Sequence, residues 1–224
     1  MAFNTPTFNN PTFTNPKPVL LSATLFTDFL TNRKLINQFE KRGKNVGFTD
    51  ASFQAMMKSV GWRSGDAWCA YYVKLVYMSM FSFDRQYISK NFGGGSNSNL
   101  VNIERLNDKG DTRYLASRNN DPQVGDIFCQ GVQNFGRGQS GYGHTGIIVE
   151  VIDKVGNGYK VKTIEGNTNA GGSREGNKSA ILTRTLEVGK KADKWMLGYI
   201  RRNFTPQEIE KLAYDEANQT FIFK

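Results

Sequence analysis

Asp66-Ala-Trp-Cys-Ala-Tyr-Tyr-Val73 and the residues just after it decide the fold of this chain. Cys69, Tyr72 with Val73, Val76 with Tyr77, and Met80 recur at three-to-four spacing, the period of a helix with a buried stripe. That spacing puts Cys69 in the first turn. The partial positive charge and unpaired N–H groups at a helix start favour thiolate over thiol, and the thiolate is the nucleophilic form. A cysteine in isolation reads as a small buried hydrophobe, so the argument turns on what accompanies it.

A thiol hydrolase needs an imidazole, first as base and then as acid, and the chain has one histidine, His144. It lies in Gly141-Tyr-Gly-His-Thr-Gly-Ile-Ile-Val-Glu-Val151, where glycines leave room for a substrate and the β-branched run predicts a strand. Asn157-Gly158 marks a hairpin turn. On the strand after it, Thr163-Ile-Glu-Gly-Asn167 carries Glu165 and Asn167 on one face if the strand persists. Either can accept from the imidazole and fix its tautomer; the competing readings are a solvated strand end for Glu165 and a turn residue for Asn167. The candidate catalytic set is Cys69, His144, Glu165 and Asn167, with Trp68, Tyr142 and Gly143 beside them as candidate substrate contacts.

Upstream, Leu25, Phe29 and Ile36, with Phe26, Leu30 and Phe39, recur near helical spacing up to a stop at Gly43. Asp50 caps a second predicted helix with Phe53, Met56, Met57 and Val60 on its apolar face, ended by Gly61. Residues 93–99, Gly-Gly-Gly-Ser-Asn-Ser-Asn, are too poor in apolar surface to pack and are expected as a mobile loop. Strand-like runs follow at 126–130, 145–152, 159–165 and 196–201, and Thr205-Pro-Gln-Glu208 is a capping box that starts a helix near Pro206. Helices first and an antiparallel sheet afterwards make an α+β domain. The expected division is a hydrolase domain over 19–203, preceded by an extended arm over 1–18 and followed by a C-terminal helix and tail over 204–224. The arm repeats Phe-x-x-Pro at Phe3, Phe8 and Phe13, with prolines at 6, 11 and 16 that forbid helix.

Charge and composition narrow the partners. With 29 Lys plus Arg against 20 Asp plus Glu, the net charge is +9, which suits an anionic partner such as a teichoic-acid-bearing wall, an anionic lipid or a nucleic acid. Arg137, Lys178 and Arg184 read first as a solvated surface, with attraction of such a wall as the competing reading. No RNP, helix-turn-helix or zinc-finger pattern is present, so no nucleic acid is expected. No apolar run reaches the ~18–20 residues of a membrane span, and residues 1–18 lack the order of a secretory signal. A protein made in the cytoplasm without an export address is the expectation. Two cysteines and one histidine fit free thiols rather than a disulfide scaffold or zinc site. Without alternating carboxylates for calcium either, no metal and no cofactor is expected.

The segments Trp68-Cys-Ala-Tyr-Tyr-Val73, Val124-Gly-Asp-Ile-Phe128, Gly143-His-Thr-Gly-Ile-Ile-Val149, Thr163-Ile-Glu-Gly-Asn-Thr168 and Leu197-Gly-Tyr-Ile-Arg201 together resemble the CHAP and related NlpC/P60-type cysteine hydrolases of peptidoglycan. The resemblance covers about residues 50–202. It implies a papain-like fold, Cys69 and His144 as catalytic residues, Glu165 or Asn167 as the orienting residue, and muramoyl-alanine amidase or peptide-stem endopeptidase activity on bacterial peptidoglycan. The glycine-rich run before His144 is longer than the family pattern, and the oxyanion donor beyond the Cys69 N–H is not identified. Such a chain reaches the wall as a phage lysin or as a virion component, with the arm docking on other virion proteins. The competing expectation is a catalytically silent structural or adaptor virion protein of the same fold, and zymography separates the two.

Overall fold

The computed structural model describes residues 22–118, 120–131, 143–169, 176–187 and 195–224. The arm over 1–18, Arg137 and Tyr142 lie outside the described residues. The chain runs α1 (Ala23–Asn32), α2 (Ala51–Ser59), α3 (Cys69–Met80), a 3₁₀ turn (Ser82–Asp84), α4 (Arg85–Asn91), α5 (Ser96–Asn107), β1 (Tyr114–Ser117), β2 (Ile127–Gly131), β3 (His144–Val155), β4 (Gly158–Thr168), β5 (Lys178–Glu187), β6 (Trp195–Arg202), α6 (Pro206–Lys211), β7 (Leu212–Asp215) and β8 (Thr220–Phe223). Helices precede a six-stranded antiparallel sheet of order β1-β6-β2-β3-β4-β5, the α+β arrangement of a papain-like domain.

Alternation along the strands splits the sheet's two faces. Ile127, Cys129, Ile147, Val149 and Ile164 join the main core around α3, whereas Phe128, Ile148, Val161, Leu186 and Tyr199 form a second cluster on the opposite side. β5 comes into contact with β6 although they are not neighbours in the sheet, and the second cluster draws its residues from β2 to β6. Helix α3 is the hub. It packs on β3 and β4, and buries nearly every residue from Cys69 to Met80, including Lys74.

Local signals placed several elements well. Asp50 accepts from the Phe53 N–H at 2.9 Å to cap α2, and Thr205 and Glu208 form the reciprocal capping box of α6. The β3–β4 hairpin turns on Gly156-Asn157, between the paired residues Val155 and Gly158, one residue earlier than the Asn157-Gly158 signal. Gly156 takes the left-handed φ of +58° there.

The structure corrects three readings. The helical pattern over 25–39 stops at Asn32, because Lys34 and Asn37 turn left-handed and the chain then pairs with the start of β5. Ser179 N–H donates to the Gln38 carbonyl at 2.8 Å, and Glu40 N–H donates to that of Asn177 at 2.8 Å. These bonds cover what would otherwise be an open sheet edge. Residues 93–99 are not a mobile loop: α5 begins at Ser96, and Ser96 and Asn99 are buried. The polar side chains do there what apolar ones do elsewhere. Asn99 accepts from the Gly93 N–H at 2.7 Å and donates to its carbonyl at 3.2 Å, closing the loop on itself. The C-terminal segment is not a tail after its helix but a hairpin, β7–β8, whose Phe221 is buried and stacks on Phe81 at 5.6 Å.

Candidate active site

Cys69 is the first residue of α3 and is almost fully buried. Trp68 precedes it at the N-cap and offers no side-chain hydrogen bond to the N–H groups beside the thiol. What presses this helix start against the sheet is Gly166. A Cβ on Gly166 would sit 2.6 Å from Tyr72 and 2.7 Å from the Trp68 ring, so only glycine lets β4 pass this close to the first turn of α3. The strand that carries Glu165 is thereby brought to the helix that carries Cys69.

His144 opens β3 and is 2% exposed. Its Nε2 meets Glu165 Oε2 at 2.7 Å. Gly146, two residues on, is again a close approach: a Cβ there would lie 2.6 Å from Glu165 Cγ and 2.7 Å from Phe128 Cε1. The glycine in His-Thr-Gly thus makes room for the carboxylate that binds the histidine. With Nε2 taken, the buried Nδ1 has no hydrogen-bond partner of its own among the described residues and is the ring atom left to serve the Cys69 thiol. Burial alone pushes the imidazole toward neutrality, but the neighbouring Cys69 together with the bond and charge of Glu165 overcomes it and raises His144 to about 9. Burial likewise works against the Glu165 charge, and His144 with Arg184 outweighs it, bringing that carboxyl down to about 2.

Glu165 is fully buried and densely bonded. Thr163 Oγ1 donates to Oε1 at 2.5 Å, Arg184 Nε also reaches Oε1, and Arg184 Nη2 donates to Oε2 at 2.6 Å. Arg184 is therefore not the surface charge expected from the sequence, because its side chain is only 13% exposed and paired with Glu165. Lys178 lies at the start of β5, where it bridges to Phe39. Thr163 and Arg184 had no local signal as site residues: the first sits on Glu165's own face of β4, and the second arrives only through β4–β5 register.

Asn167 does not share the role left open between it and Glu165. The β4–β5 pairing is irregular between Glu165 and Thr168, and Asn167 takes φ +55°, which breaks the alternation that would keep both side chains together. It is buried, with Nδ2 without a hydrogen-bond partner among the described residues, and the imidazole's hydrogen bond goes to Glu165. Trp68 is not a substrate contact either. It is 0% exposed, its Nε1 donates to Glu40, and it packs edge-on against Phe48 at 5.0 Å and Tyr72 at 5.9 Å. Gly143 is hemmed in by the Gln130 carbonyl and Ser96, with no room for a Cβ. A residue missed in the sequence is Ser96, whose Oγ donates to the His144 carbonyl at 2.9 Å and ties α5 to the histidine's backbone.

Other pieces of the pattern are scaffold. Asp126 is fully buried and takes both arms of the Arg201 guanidinium at 2.7 Å, joining β2 to β6, and Tyr77 of α3 donates to the Gly125 carbonyl. Cys129 faces the main core, where burial drives its thiol up to about 12. Two outcomes follow. Limited iodoacetamide treatment with peptide mapping should label Cys69 and leave Cys129 intact; first reaction at Cys129 would reverse the assignment of the thiols. Stability should also depend on pH through the His144–Glu165 pair. A raised His144 contributes fully below its ordinary 6.5 and loses that contribution as pH rises through about 9. A lowered Glu165 contributes fully above its ordinary 4.5 and loses it as pH falls through about 2. Melting temperature should therefore be highest between these ordinary values and fall on both sides. A Glu165→Gln variant should lose the alkaline limb and begin its acid loss at higher pH, where the buried His144 must charge, and unchanged limbs would show the pair to be uncoupled from folding.

No curated protein and no solved structure is matched by this chain. A family model does match: the CHAP domain, over residues 60–167. The matched segment begins before Cys69, includes His144 and Glu165, and ends at Asn167, and CHAP domains are in general cysteine- and histidine-dependent peptidoglycan hydrolases. This chain carries a CHAP domain.

Proposed function

We propose that the protein is a peptidoglycan hydrolase that cleaves an amide bond, at the muramoyl-alanine junction or within the peptide stem, through a Cys69–His144–Glu165 thiol mechanism. The observation that carries this reading is the buried 2.7 Å bond between His144 Nε2 and Glu165 Oε2 in the same matched segment as a cysteine at a helix start. Glu165 holds the imidazole with its proton on Nε2, which turns the Nδ1 lone pair to the thiol. Nδ1 takes the Cys69 proton, and the thiolate attacks the carbonyl carbon. The tetrahedral oxyanion is held by N–H groups at the start of α3. Collapse expels the amine, which carries away the proton from His144. Water, deprotonated by the same nitrogen, then cleaves the thioester and regenerates the thiol.

Charge supports the substrate class, since a chain of net charge +9 is drawn to an anionic wall. The test is digestion of defined, purified peptidoglycan followed by mass spectrometry of the released fragments. A new amino terminus on alanine with free muramoyl lactyl groups identifies an amidase, and split stems identify an endopeptidase. Intact peptidoglycan after prolonged treatment with reduced, folded protein rejects the proposal.

A further inference from the structure

We propose that Arg184 is a positioning residue of the His144–Glu165 pair: its guanidinium forks onto both carboxylate oxygens, fixes the plane in which Glu165 meets the imidazole, and offsets part of the carboxylate's charge. The inference rests on the reading of Cys69 and His144 as the reacting groups. Arg184 lies on β5, beyond the 60–167 segment that matches the family, and its Cα is paired with Val161 of β4. From there the long side chain runs to Glu165, where Nη2 donates to Oε2 at 2.6 Å and Nε donates to Oε1. Thr163 Oγ1 adds a bond to Oε1 at 2.5 Å, so each carboxylate oxygen has two donors and Glu165 cannot rotate without breaking several of them. A fork of this kind fixes orientation in a way a point charge does not.

The charge consequence follows from who faces whom. His144 is faced by Cys69 from α3, by Glu165 from β4 and by the Phe128 ring from β2 at 6.1 Å; Glu165 is faced by His144 from β3, by Arg184 from β5 and by Thr163 on its own strand. The carboxylate thus serves two cations. With the guanidinium gone, its full charge would act on the imidazolium alone, in a buried setting where little water screens it. The imidazolium would then persist to higher pH, and the pair would lose its fixed geometry. Arg184 therefore keeps His144 able to release its proton.

One histidine in the chain makes the test direct, because a ¹³C-histidine label reports His144 alone. The full-length wild type, Arg184→Met and Arg184→Lys are titrated by NMR, and their peptidoglycan hydrolysis is followed against pH. Arg184→Met should raise the His144 midpoint by about one pH unit, move the alkaline limb of the activity profile with it, and lower kcat about tenfold. Arg184→Lys, which keeps the charge but not the fork, should hold the midpoint near wild type while kcat stays several-fold low. A folded Arg184→Met protein with an unmoved or lowered midpoint overturns the proposal, even if activity falls. Should Arg184→Met fail to fold, Arg184→Lys decides: wild-type kcat in that variant removes the positioning role. Absence of wild-type hydrolysis would instead reject the proposed function, and the NMR midpoints would still judge Arg184.

Discussion

Replacing Cys69 with serine is expected to abolish hydrolysis of peptidoglycan, by about 10⁴-fold or more, while leaving the fold intact. The substitution changes one atom in an almost fully buried position at the start of α3, and leaves the close approach of Gly166 to Tyr72 and the Trp68 ring untouched. What is lost is acidity. A thiol can give its proton to His144 Nδ1 before attack, whereas a serine hydroxyl is a far weaker acid and does not form that ion pair. The measurement is turbidity loss of a purified wall suspension, with the folded state checked by the melting transition. Cys129→Ser serves as the control, since that side chain lies wholly within the core. Retention of more than about a hundredth of the activity in Cys69→Ser would falsify the nucleophile assignment.

Glu165→Gln is expected to lower kcat about 10³-fold and to destabilise the protein by about 3 kcal/mol. The kinetic loss has a tautomeric cause. A carboxamide can present its NH₂ to Nε2, which moves the remaining ring proton to Nδ1, where it blocks proton transfer from the thiol. The stability loss has a different cause, since Arg184 is 13% exposed and would keep its charge without the carboxylate that now receives it. The Arg184 fork is the reason to expect a loss of stability beside the kinetic one. His144 should titrate below the ordinary imidazole range in the variant, because burial then acts with far less opposition than it meets in the wild type, where the group is raised to about 9. Asn167→Ala should cost much less kcat, since Asn167 makes no hydrogen bond to the imidazole. Equal damage from the two substitutions would return Asn167 to the orienting role.

Much of the architecture was legible because it is written in local periods. The stripe Cys69, Tyr72, Val76, Met80 gave α3 with the cysteine at its start, and the β-branched run after His144 gave β3. The failures share a physical origin. Residues 93–99 looked unable to pack because apolar content was the criterion, yet Asn99 and Ser96 order them with hydrogen bonds to Gly93 and to the His144 carbonyl. Trp68 looked like a contact beside a nucleophile, but Phe48 and Phe53, from chain well upstream, close over it. The helical pattern through Phe39 lost to pairing with β5, whose own position is not encoded nearby.

By itself the sequence determined the reactive inventory: a cysteine at a helix start, a single histidine entering a strand, a carboxylate and an amide two residues apart on the next strand, and an α+β order of elements. These are properties of residue type and short spacing, which act before the chain is compact. Only the tertiary structure decided which acceptor holds His144, which cation holds Glu165, and which helix ties the histidine's backbone in place. Glu165 won over Asn167 because a bulge and a left-handed residue break the strand's alternation between them. Arg184 and Ser96 entered because sheet register and helix docking bring together groups far apart in sequence.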